Sequence, residues 1–125
     1  MAKTCYRGEL YYADLGKGIG SEQEGYRPVV IIQNNMGNKY SPTVIVAPVT
    51  TNHDAKAKLP THCYIGEESG LDTSSVILLE QLRTIDKRRL GHYVGRLNRT
   101  HLQQLNQALA ISIDLNHLKK RREPS

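Results

Sequence analysis

The apolar positions of this chain fall in short runs separated by turn chemistry, and that spacing predicts a strand-rich protein. Gly8–Leu15 is an aromatic-rich run bounded by glycines and reads as a strand. Gly16–Gly25 follows with four glycines and no apolar period, which predicts a mobile loop. Pro28–Gln33 is β-branched and continuously apolar, so it reads as a strand buried on both faces. Asn34–Asn38 is turn chemistry. Thr43–Thr50 is a third strand, in which Pro48 implies an edge position or a bulge. Asn52–Lys58 reads as a loop, Thr61–Ile65 as a short strand and Gly66–Ser74 as a turn-rich connector.

Ser75–Ile85 begins as a strand, yet is leucine-rich enough to admit a helix. Asp86 can cap a single turn over Lys87–Leu90, closed by Gly91, and His92–Leu97 is another short strand. The last element is a helix. Thr100 with Gln103 fits a capping box, and Asn98 is the alternative cap. Leu102, Leu105, Ala108 and Leu109 share one face at helical spacing. Ile111 and Leu115 add a second apolar strip, which fits either a partner surface or a core helix buried on two sides. Five or six short strands with one terminal helix predict a small twisted antiparallel sheet or barrel.

Composition confirms a folded core and removes several functional classes. Leu, Ile and Val number 14, 9 and 7 in 125 residues, about a quarter, above the roughly 20% below which disorder is expected. The longest unbroken apolar stretch is Val44–Val49, far short of the ~20 residues a membrane span needs. The first residues, Met1–Arg7, carry no apolar stretch of the secretory kind, so a cytoplasmic protein that meets no membrane is expected. Cys5 and Cys63 stand alone, which argues against a disulfide scaffold or a thiolate zinc site. His53, His62, His92, His101 and His117 never pair four apart, so no helical metal site is expected, and no cofactor either. The glycine loop lacks the spacing of both common phosphate-binding motifs. Most of the formal charge of +5 lies in the tail 118–125, where Lys119, Lys120, Arg121 and Arg122 face only Glu123. One domain over 1–117 followed by that basic tail is the expected organisation.

Three positions carry candidate chemistry. Arg27 precedes Pro28 and is held extended at the mouth of a buried strand, where a guanidinium can grip a phosphate through two hydrogen bonds. Thr50 ends the next strand and can donate its hydroxyl to an oxyanion. Gln81 offers a donor and an acceptor to a base edge.

In combination these runs resemble a known family. Arg7–Leu15, Gly20–Gln23, Arg27–Asn34, Ser41–Thr43, Val49-Thr50, Lys58–His62 and Ser75–Lys87 follow the ordered motifs of the MazF/PemK toxins of bacterial toxin–antitoxin modules. The resemblance runs from Tyr6 to Leu115. It implies a mainly β fold with short helices, a compact SH3-like barrel of the MazF/PemK/CcdB type with a C-terminal α-helix, working as a homodimer. It implies a sequence-specific, metal-independent endoribonuclease that cuts single-stranded mRNA, arrests growth and is covered by an acidic MazE-like antitoxin. The family's catalytic arginine and threonine fall on Arg27 and Thr50. Ser21, Glu22, Asn34, Thr61, His62 and Gln81 are the RNA-contact candidates. The alternatives are a CcdB-like toxin that binds a protein such as DNA gyrase and cuts nothing, and a single-stranded RNA-binding module.

Overall fold

The structure, a computed structural model, describes residues 4–51 and 58–115. The loop expected over Asn52–Lys58 and the tail 118–125 therefore lie almost entirely outside the described residues. Seven strands form one antiparallel sheet: β1 Glu9–Asp14, β2 Tyr26–Ile31, β3 Thr43–Thr51, β4 His62–Ile65, β5 Ser75–Leu78, β6 Arg83–Asp86 and β7 Leu90–Arg96. Helix α1, Asn35–Tyr40, follows β2, and helix α2, Arg99–Ser112, closes the described chain. The strands run in the order β4-β5-β3-β2-β1-β7, with β6 also paired to β3.

Val29, Val30, Ile31 and Ile32 are all buried, as a strand covered on both faces requires. Alternation sends their side chains to two cores. Val30 joins Leu10, Ala47, Val49 and Ile77 under Leu105 and Ala108 of α2. Val29 and Ile31 join Tyr11, Val44, Val46 and Ile85 on the opposite face. Fully burying a leucine such as Leu105 contributes about 1.5–3 kcal/mol.

Two expectations are corrected. The Asn34–Asn38 run forms a helix, because Asn34 Oδ1 accepts from Gly37 N at 2.8 Å and caps it. Ser75–Ile85 is two strands split by a 3-10 turn over Leu79–Gln81. Pro48 explains the split. β3 is an interior strand, paired on one side to β2 over Val46–Pro48. On its other side it pairs β6 over Thr43–Val46 and β5 over Val49–Thr51, and the ladder lapses at Ala47 and Pro48, where proline has no N–H to donate. The mainly β fold with a C-terminal helix is the one expected, and its sheet is open, since no ladder joins β4 to β7 among the described residues. Its ends meet by backbone approach instead. Gly70, at φ +103°, lies against the Val94 carbonyl, and a Cβ at Gly95 would fall on the Ser69 carbonyl oxygen.

Asp86 caps its turn as expected, accepting from Arg88 N at 2.8 Å. Its exposed carboxyl is drawn down to about 2 by the hydrogen bonds from Arg88. Asn98, rather than Thr100, caps α2, accepting from His101 N at 2.8 Å. Leu105 and Ala108 are buried while Ile111, Ile113 and Leu115 stand more than half exposed, so the second apolar strip of α2 is a surface. Among the described residues no helix is long and apolar enough to cross a membrane.

Candidate active site

Arg27 is the second residue of β2, the position where the chain leaves the glycine-rich loop and enters the buried ladder. Val30 lies opposite Ala47 and Val29 opposite Pro48, and continuing that register brings Arg27 across from Thr50 on the same face. The guanidinium confirms the approach: Nη1 reaches the Val49 carbonyl oxygen at 3.5 Å, while Nε donates to the Glu24 carbonyl at 2.9 Å. Thr50 is 9% exposed and fixed in the ladder opposite Val76. An arginine and a threonine thus lie on one face at the end of a strand pair, and among the described residues most of the five guanidinium donors have no partner.

Beside them opens a cleft of about 440 Å³ between the loop and the 3-10 turn, with Glu22, Pro48, Glu80, Gln81, Lys17 and Arg83 on its walls. Lys17 and Arg83 make no ion pair among the described residues, and across the cleft their two charges are matched in number by the carboxylates of Glu22 and Glu80. Glu80 accepts from Thr61 Oγ1 at 2.7 Å and lies 3.1 Å from His62 Nε2. The two residues expected to touch RNA are therefore tied to this carboxylate. The His62 side chain is only 4% exposed, and its Nδ1 has no partner among the described residues.

Gln81 does not present its amide to solvent. Its Oε1 accepts from Gln23 N at 2.9 Å and its Nε2 donates to the Ser21 carbonyl at 3.2 Å. The loop expected to be mobile is held further by Glu24 Oε1, which accepts from Gly18 N at 2.9 Å, and by the Gly25 N–Gly16 O bond at 2.8 Å. Ser21 and Glu22 remain exposed on it.

Asn34 is elsewhere. It sits seven residues beyond Arg27, on the order of 20 Å along an extended strand, with its side chain used as the α1 cap. The residues missed by sequence reasoning are Lys17, Glu80 and Arg83. Glu80 and Arg83 flank Gln81 within a quoted motif, and that adjacency was their only signal.

Two chemistries are weak here. Burial pushes the Cys63 thiol up to about 11, and Sγ donates to the His101 carbonyl at 3.8 Å, so it is no nucleophile. Among the described residues no three His, Cys, Asp or Glu side chains cluster in a way that could hold a metal ion.

This arginine–threonine pair, on this sheet, coincides with a family match. Residues 6–113 fit the family described as PemK-like, MazF-like toxin of type II toxin-antitoxin system. The chain belongs to the PemK/MazF toxin family. It is 54% identical over 112 residues to Endoribonuclease MazF of Staphylococcus epidermidis, spanning 89% of this chain and 92% of that protein. It superposes on a mycobacterial endoribonuclease in complex with its cognate antitoxin, with a TM-score of 0.74, 27% identity and coverage of 89% and 96%. MazF of Deinococcus radiodurans, at 21% identity, has the same fold, with a TM-score of 0.76 and coverage of 90% and 99%. The PemK/MazF fold is thus the frame in which Arg27 and Thr50 are held.

Proposed function

We propose that this PemK/MazF toxin cuts single-stranded RNA without a metal ion, at the point faced by Arg27 and Thr50, and is silenced by an acidic antitoxin. The observation that carries the reading is the Arg27 guanidinium, anchored through Nε yet with its outer donors free, opposite a fixed threonine hydroxyl. Its 54% identity to an endoribonuclease supports the enzyme class.

RNA supplies its own nucleophile. The 2′-oxygen bonds to phosphorus and the bond to the 5′-oxygen breaks, leaving a 2′,3′-cyclic phosphate and a 5′-hydroxyl. The 2′-hydroxyl proton passes to water as the attack proceeds, and the departing oxygen gains one from Arg27, which takes its proton back from water. Arg27, through its guanidinium donors, neutralises the non-bridging oxygens as charge grows there. Its second role is to protonate the leaving oxygen. Thr50 donates to the same phosphate. Holding the nucleotides in line supplies much of the remaining acceleration. Ser21 and Glu22, exposed on the loop, read the bases, with Thr61 and His62 acting there through Glu80.

Two partners follow. The exposed apolar residues Ile111, at the end of α2, and Ile113 and Leu115, just beyond it, support a homodimer contact. The mycobacterial neighbour is held by a cognate antitoxin, and a formal charge of +5 suits an acidic one. Incubation with a long single-stranded RNA and excess chelator tests the reading. Discrete fragments are expected. Intact RNA with folded protein would return the non-enzymatic, CcdB-like alternative, and cleavage that needs added metal would remove this mechanism.

A further inference from the structure

The glycine-rich loop at the site is 10 residues long, Gly16–Gly25, and its neck closes on itself through Leu15 N–Gly25 O and Gly25 N–Gly16 O. Its tip is held differently. Apart from Arg27 and from Asp14, whose Oδ1 accepts from Gly16 N at the neck, Gln81 is the only side chain from outside the loop that hydrogen-bonds it among the described residues. The carboxamide of Gln81 bonds the Ser21 carbonyl and the Gln23 N–H, two residues apart, as the peptide group of a neighbouring strand would. The bond to Gln23 and the bond that orients Arg27 fall within one dipeptide: Gln23 N is held by Gln81, and the Glu24 carbonyl holds Arg27 Nε.

We infer that Gln81 is a positioning residue for the cleavage reaction: it latches the Ser21–Glu24 tip so that the Glu24 carbonyl aims the Arg27 guanidinium at the scissile phosphate. The chain Gln81–Gln23–Glu24–Arg27 is continuous in hydrogen bonds and covalent bonds and is anchored on the 3-10 turn Leu79–Gln81, whose Leu79 is fully buried. Without the latch, the Glu24 carbonyl follows the loop and Arg27 loses its fixed orientation, though not its charge. RNA attraction then survives while the reactive geometry is lost. This inference rests on the assignment of Arg27 to the reaction.

The test is steady-state cleavage of a short RNA by Gln81→Ala, Gln81→Glu, Arg27→Lys and the double variant Gln81→Ala/Arg27→Lys, with melting temperatures measured alongside. Gln81→Ala should lower kcat by about tenfold to a hundredfold with KM nearly unchanged, since misplacing a reactive group by about 1 Å costs rates of this order. Its cut positions should not move. Gln81→Glu keeps the acceptor for Gln23 N and loses the donor to Ser21, so its kcat should fall between the two. In the Arg27→Lys background, which has no Nε–H for the Glu24 carbonyl to hold, Gln81→Ala should cost little more. That non-additivity decides the matter even if Gln81→Ala lowers the melting temperature. Raised KM with unchanged kcat, altered cut positions, additive losses or no loss at all would each overturn the latch. Normal cleavage by Arg27→Ala would instead overturn the active-site assignment beneath it.

Discussion

The two ends of β2 are both polar, and they use their polarity in opposite ways. Beyond its C-terminal end the buried amide of Asn38 is fully bonded. Asn38, 2% exposed, donates to the Gln33 carbonyl at 2.9 Å and to Asn35 Oδ1 at 3.0 Å, and accepts from Gln33 Nε2 at 3.2 Å. Gln33 also donates to the Thr43 carbonyl at 3.0 Å, and the buried ammonium of Lys87 donates to the Asn38 carbonyl. At the N-terminal end Arg27 satisfies one donor well and a second at 3.5 Å, and its other donors have no partner among the described residues. A saturated polar cluster contributes to the fold, whereas an anchored group with spare donors is available for chemistry. Asn34 and Arg27 share a sequence motif, yet only the second meets that description.

The contrast is sharpest in Arg27→Ala. Cleavage should fall by about a hundredfold or more, as when one transition-state anchor is removed, with an unchanged melting temperature. Near-normal turnover would break the comparison at its stronger end. The opposite result is expected from Asn38→Ala. Leaving the Gln33 side chain and carbonyl without the Asn38 amide should cost roughly 1–3 kcal/mol in chemical denaturation, while the folded fraction cleaves at the parental rate. Asn34→Ala removes the α1 cap and should cost about 0.5–2 kcal/mol, with kcat and KM both unchanged. A raised KM would restore Asn34 as an RNA contact. The mildest effect is expected at the thiol beneath the site. With its pKa held near 11, Cys63 should resist iodoacetamide at pH 8 until the protein unfolds, and treated protein should keep its activity. Rapid labelling of Cys63 with loss of cleavage would show that the site end also carries thiol chemistry.

The strands were legible because burial on two faces leaves an uninterrupted β-branched run, as at Val29–Ile32. Arg27 and Thr50 stand out as candidates because a proline and a strand end mark them locally, and their motifs match a family. What depends on long-range pairing was not legible. Nothing in the sequence says that the Gln81 side chain turns inward to the loop, 58 residues from Gln23, or that Glu80 gathers Thr61 and His62. The Asn34–Asn38 run looked like a turn because asparagine favours turns and caps alike, and only the partner groups of Asn34 and Asn38 decide between them. Pro48 gave a correct signal with the wrong consequence. It interrupts the ladder, but β5 and β6 share the work on either side of it, so β3 stays interior.

The central claim is that the RNA's own 2′-hydroxyl attacks a phosphate held by Arg27. It is tested most directly by a pair of short RNAs that differ only in a 2′-deoxy substitution at the nucleotide preceding the mapped cut, incubated with the protein in chelator. The account predicts that the all-ribose strand is cut to fragments bearing a 2′,3′-cyclic phosphate and a 5′-hydroxyl, and that the substituted strand stays intact at that bond. Cleavage of the substituted strand, or 5′-phosphate ends on the fragments, would mean that water attacks instead and would contradict the mechanism.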